Sequence, residues 1–137
     1  MFDRTTPQKH GPSNRCQLPV AAGVLIPAGT IVMVCVDGDF GSVDHAYPGS
    51  AEAGLSMVGV ACRRADNTEG QDGDVWVEAE SGRAYLFDNC PDAPVMARHL
   101  RRTCCVVDGS TVSNGHPGVY PAGIVWAVED DGVWVFI

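Results

Sequence analysis

At 137 residues, with 45% hydrophobic and 19% charged side chains, the chain is the size of one domain and supplies the apolar mass of one core. Its formal charge of -8 argues against a surface that binds DNA or RNA non-specifically, because that function needs clustered Lys and Arg to displace condensed counterions. Sixteen glycines and nine prolines exclude a helical architecture and, with abundant Val, point to short strands joined by tight turns.

Residues 1–19 hold Pro7, Pro12 and Pro19 and show no hydrophobic period, so they read as an extended N-terminal arm that precedes a single β-domain over residues 20–137. The arm is weakly basic, with Arg4, Lys9 and Arg15 against Asp3, and it begins without the apolar stretch of a secretory signal. Synthesis in the cytoplasm is therefore expected. No run approaches the roughly 20 apolar residues that cross a bilayer, so no membrane partner is expected either.

Within the domain, VLI at 24–26 and the β-branched run at 30–36 read as strands around a Pro27-Ala28-Gly29 turn. A short strand is expected near Ala46-Tyr47, and another over 55–62. VWVEAE, Ser81-Gly82 and RAYLF together carry the signature of a β-hairpin with a two-residue turn. Residues 94–102 are the one helix-compatible piece, long enough for one or two turns. Thr103 to Val107 is a further strand, and Gly123 to Ile137 forms a terminal hairpin about Asp130-Asp131-Gly132. On its last strand Trp134 and Phe136 share one face while Val133, Val135 and Ile137 share the other, so both faces demand cover. The sum is an all-β protein, a small antiparallel barrel or sandwich with at most a very short helix.

Chemistry-bearing patterns are weak. The six cysteines lack the paired spacing of a structural zinc site, and His10, His45, His99 and His116 do not approach them at ligand-like intervals. Cys104-Cys105 points its thiols to opposite faces of any strand, and the cytoplasm keeps thiols reduced, so free cysteines are expected. The acidic stretch Asp66, Glu69, Asp72, Asp74 departs from the calcium-loop pattern, since Gly70 is fifth from Asp66 and Val77 stands where the twelfth-position Glu belongs. It reads as a turn whose side chains cap their own backbone. Neither a serine elbow nor an activated Cys90 is legible, and no catalytic, cofactor or metal-binding residue is assigned. Arg98, Arg101 and Arg102 form the one basic spot of the domain, suited to salt bridges with nearby acids or to an acidic partner surface.

The ordered series GLSMVGVA followed by ADNTEGQDGD, then GRAYLFDN, TCCVVDGSTVS and the terminal DGVWV hairpin resembles the small capsid decoration, or cement, proteins of tailed bacteriophages and prophages. The resemblance spans roughly residues 20–137. It implies a structural virion protein on the outer face of the head, bridging adjacent subunits of the major capsid protein so that the shell withstands packaged DNA. It implies no cofactor and no enzymatic activity, with the major capsid protein and further copies of this chain, as dimer or trimer, as partners. Phe2, Arg4, Lys9, Arg15, Arg98, Arg101, Arg102, Trp134 and Phe136 are the expected capsid or subunit contacts. A carbohydrate- or ligand-binding β-module of a phage particle is the alternative, with the three tryptophans as a sugar platform; Trp76 and Trp134, on alternating strands, are expected instead in the core or an interface.

Overall fold

The computed structural model describes residues 14–115 and 120–137. Seven strands occupy the first part of the chain: β1 Arg15–Pro19, β2 Val24–Ile26, β3 Ile31–Cys35, β4 Ala46–Pro48, β5 Leu55–Ala61, β6 Ala65–Asn67 and β7 Trp76–Glu80. Five follow: β8 Ala84–Asn89, β9 Thr103–Val106, β10 Thr111–Ser113, β11 Pro121–Glu129 and β12 Gly132–Phe136. The only helical element among the described residues is a single 3₁₀ turn, Ala97–His99, inside the segment where one or two turns were expected. The fold is all-β. Strands β1, β7, β5, β3 and β4 lie side by side in one antiparallel sheet, β2 and β6 form a two-stranded ribbon, and β10, β8, β12, β11 and β9 close into a barrel.

Strand β3 explains how these layers hold together. Its sequence IVMVC alternates by two like any strand, but both of its faces are apolar. Ile31, Met33 and Cys35 pack with Phe87, Val95, Val106, Val112, Val125, Val133 and Val135 of the barrel half. Val32 points the other way, into a second cluster with Val20, Ile26, Ala46, Ala61, Ala65, Val77 and Ala79, where the ribbon supplies the cover. Two clusters thus share one wall, and neither is an independent core.

Three expectations need correction. The strand–Ser81-Gly82–strand pattern is no hairpin, because β7 pairs with β1 and β5 while β8 pairs with β12 and β10. Val77 and Ala79 of β7 belong to the second cluster and Phe87 of β8 to the first, so the two strands bury their side chains in different places and cannot share a ladder. Ser81-Gly82 is instead a corner between sheet and barrel. Gly82 has φ +86° and its N–H donates to the Ile137 carbonyl, while the Ser81 N–H donates to the Asn14 carbonyl at 2.9 Å. Second, the ordered sheet starts inside the segment read as an arm, since Arg15–Pro19 runs antiparallel to β7. Third, the barrel is not wholly antiparallel: β10 and β8 pair in parallel, and this pairing, with β10 against β9, closes the ring.

The terminal hairpin forms as expected, with Glu129 opposite Gly132 across Asp130-Asp131. Strand β12 is flanked by β11 on one side and β8 on the other, so it presents no free edge. The acidic loop follows its expectation in part: Asp66 and Asp74 cap the local backbone, but Asp66 lies in β6, paired with β2, and Asp72 bonds to groups outside the loop. Asp66 accepts from the Thr68 N–H and hydroxyl at 3.1 and 2.7 Å, Asp74 from the Gln71 N–H at 2.9 Å, and Asp72 from the Ala22 N–H at 2.7 Å and the Ser42 hydroxyl at 2.6 Å. Asn67, buried, anchors the loop by donating to the carbonyls of Val20, Ala21 and Gln71. The bond from Ser42, then that from Ala22, holds the Asp72 carboxyl below its ordinary value.

Close backbone approach fixes several glycines, Gly59 among them. A Cβ on Gly59 would lie 2.4 Å from the Glu80 carbonyl oxygen of β7, so the strands must part to admit any side chain. Gly59→Ala is expected to cost about 1–3 kcal/mol, the range for overpacking a filled site. Urea unfolding of the variant beside the parent measures it.

Candidate docking face

The outward side of the barrel carries a patch that the inward side dictates. Because Val133 and Val135 of β12 are fully buried, Trp134 and Phe136 must face out. The register then places Leu86 of β8 opposite Trp134, and Ile124 of β11 opposite Phe136. A bulge between Val125 and Ala127 leaves Trp126 without a direct partner on β12, and its ring lies 5.8 Å from that of Phe136. Trp126 is 49% exposed, Leu86 and Phe136 each 41% and Ile124 37%, while Trp134 is half-buried. Five apolar side chains therefore line one face across three adjacent strands.

Arg101 completes this face. It sits at φ +65°, a region that few non-glycine residues occupy, and is held there by its N–H bond to the Val125 carbonyl at 2.9 Å. From that position its guanidinium donates to the Trp126 carbonyl at 2.9 Å and lies 3.8 Å over the indole. The stacked cation holds Trp126 in place and covers part of its ring with charge. Arg98 and Arg102 are exposed nearby in sequence, and Met96 and Leu100 of the same segment are exposed as well. Contrary to the expected salt bridges, Arg98, Arg101 and Arg102 make no ion pair among the described residues.

The other sequence-derived contact residues are scattered. Phe2, Arg4 and Lys9 lie outside the described residues, as does His116. Arg15 is on the far sheet, paired with Glu78 at 3.0 Å and Glu80 at 3.5 Å. Trp134 and Phe136 do join Arg101 on one face, but Trp134 is not a core residue, and Trp76, also expected to pack, is 58% exposed at the end of β7. Sequence reasoning missed Leu86, Ile124 and Trp126. A signal for two of them was present: Ile124 and Trp126 alternate with buried Val125, so they share the outward face.

Among the described residues, no group of three or more His, Cys, Asp or Glu side chains is arranged to hold a metal ion. All six cysteines are free. Cys104 is buried and Cys105 half-buried on the opposite face, and burial pushes the Cys104 thiol up to about 11. Comparison with protein families, with curated proteins and with solved structures finds no match to this chain.

Two measurements follow from these placements. Trp134→Ala is expected to cost about 1 kcal/mol, the scale of an ordinary substitution, whereas Ile31→Ala in the shared wall costs about 2–5 kcal/mol. Denaturant midpoints of both variants give the ranking. Native alkylation at pH 8 should modify exposed Cys16 first and leave Cys35, Cys90 and Cys104 untouched until the chain unfolds, a sequence that peptide mass spectrometry resolves.

Proposed function

We propose that this chain is a structural virion protein, a capsid decoration protein that binds the outer face of a phage head and bridges adjacent major capsid subunits. The observation that carries the reading is the barrel face of Leu86, Ile124, Trp126, Trp134 and Phe136 with Arg101 stacked on it. Trp, Phe and Arg are the residue types enriched at the energetic centres of interfaces, where packing expels water around rigid rings. Arg98, Arg101 and Arg102, which form no ion pair among the described residues, favour an occupant with a partly acidic, partly apolar surface, here that of the major capsid subunit. A net charge of -8 favours a place outside the shell, away from the polyanionic genome. The ordered series of motifs that resembles cement proteins agrees with this assignment.

Stabilisation then needs no chemistry. A ligand that binds the assembled lattice more tightly than free subunits shifts the equilibrium toward the lattice by mass action, and the effect accumulates over many copies. Bridging also needs a second contact, which the proposal gives to the N-terminal residues Phe2, Arg4 and Lys9, one aromatic and two basic. Because Asn14 and Arg15 bind Ser81, Glu78 and Glu80, a truncation that spares the body must stop at residue 13.

Occupancy on purified heads stripped of the protein tests the reading. Trp126→Ala is expected to weaken binding roughly 30-fold, the loss of an interface centre worth about 2 kcal/mol, with little change in the melting of the free protein. Heads filled by the variant should also unfold at lower temperature than heads filled by the parent. Parent protein that leaves bare heads unoccupied, or a Trp126→Ala variant that fills them equally, overturns the proposal.

A further inference from the structure

We propose that the hollow beside Trp76 is a second binding site, separate from the barrel face, for a single pyranose ring that bears a carboxylate. This goes beyond the decoration role and uses none of its residues. The hollow holds about 260 Å³ and is lined by Gln17 of β1, Trp76, Val77 and Glu78 of β7, and Arg63, Arg64 and Ala65 where β5 passes into β6. Pockets for drug-sized ligands run from roughly 300 to 1,000 Å³, so this volume suits one sugar ring.

Local structure assembles the site. Trp76 and Glu78 are two apart on β7 and share a face, with buried Val77 beneath, and the β1 register sets Gln17 directly opposite Glu78. The Cys62 N–H donates to the Glu78 carbonyl at 2.8 Å, which ties the Arg63-Arg64 link to the same strand. Glu78 is fixed by Arg15 at 3.0 Å. Arg63 reaches Glu78 only at 3.9 Å and Arg64 reaches Asp66 only at 3.8 Å, so both guanidiniums retain donors for a ligand.

Each wall answers one part of the sugar. An exposed indole offers a flat apolar platform for the C–H face of a pyranose. The Gln17 amide and Glu78 carboxylate, side by side in the register, offer donors and acceptors to ring hydroxyls. Arg63 and Arg64 meet a ring carboxylate with the paired N–H geometry that guanidinium provides. A phosphate ester fits less well, because the fixed Glu78 carboxylate repels a dianion while it accepts from hydroxyls.

Titration of the full chain with sodium glucuronate, glucose and acetate, followed through the indole N–H signals, tests the site. Glucuronate should bind at about 1–10 mM, glucose several-fold more weakly, and acetate should leave the Trp76 signal in place. Trp76→Ala should abolish binding while melting like the parent, and Trp76→Phe should retain part of it. Arg64→Gln should bring glucuronate down to the level of glucose and leave glucose unchanged. Trp126→Ala should bind sugar normally, which separates this site from docking on the head. Absence of a Trp76 shift up to about 100 mM glucuronate, equal binding by Trp76→Ala, or equal affinity for glucuronate and acetate overturns the inference.

Discussion

The whole structure leans on a strand that is buried on both sides. β3 has no polar face to offer water, so the sheet that contains it needs a layer on each side, and the chain provides two different layers. The ribbon of β2 and β6 covers Val32 and its neighbours, and the barrel covers Ile31, Met33 and Cys35. A one-residue slip of β3 would exchange these sets, sending Met33 toward the ribbon, where the small Ala61, Ala65 and Ala79 leave a differently shaped space. Backbone bonds pin the register: the Ile31 N–H donates to the Gly109 carbonyl of the barrel at 2.8 Å, and the Gly49 N–H to the Ile31 carbonyl at 2.9 Å.

From that constraint the barrel's outer face follows. Closing five short strands into a ring leaves room inside for little more than Val, Cys and one Phe, and the larger rings of β11 and β12 are displaced outward. Outward aromatics on a small barrel lie near water unless something covers them, and Arg101 covers only one. The apolar face and the full interior are thus two results of the same geometry. The Trp76 hollow has another origin, the meeting of a sheet edge with the link between β5 and β6, which explains its polar lining.

Fold class was readable because turn residues and β-branched runs are local signals. The strands read from the sequence appear within a residue or two, whereas β1, β6 and β10 fall in segments read as arm, turn and loop. Pairing was not readable at Ser81-Gly82, because a two-residue turn between strands looks the same whether the chain folds back or crosses to a new sheet; only the cluster that each strand feeds decides, and that is a tertiary fact. The face around Trp126 was half legible. Alternation shows that Trp134 and Phe136 lie together, and it would have added Ile124 and Trp126, but the bulge, the partner on β8 and the stacking of Arg101 all depend on non-local register. Trp76 misled the reading because aromatics on strands are more often covered than not.

The corner at Ser81-Gly82 divides the molecule in time as well as in space. Every strand of the sheet and ribbon precedes it, and every strand of the barrel follows it. A ribosome adding about 5–20 residues per second needs roughly 3–10 s to deliver the barrel half after Gly82 has been added. Throughout that interval Ile31, Met33, Cys35 and Leu55 lack the barrel residues that cover them in the finished fold. Those four side chains are the apolar surface that the second half of the chain must arrive to cover.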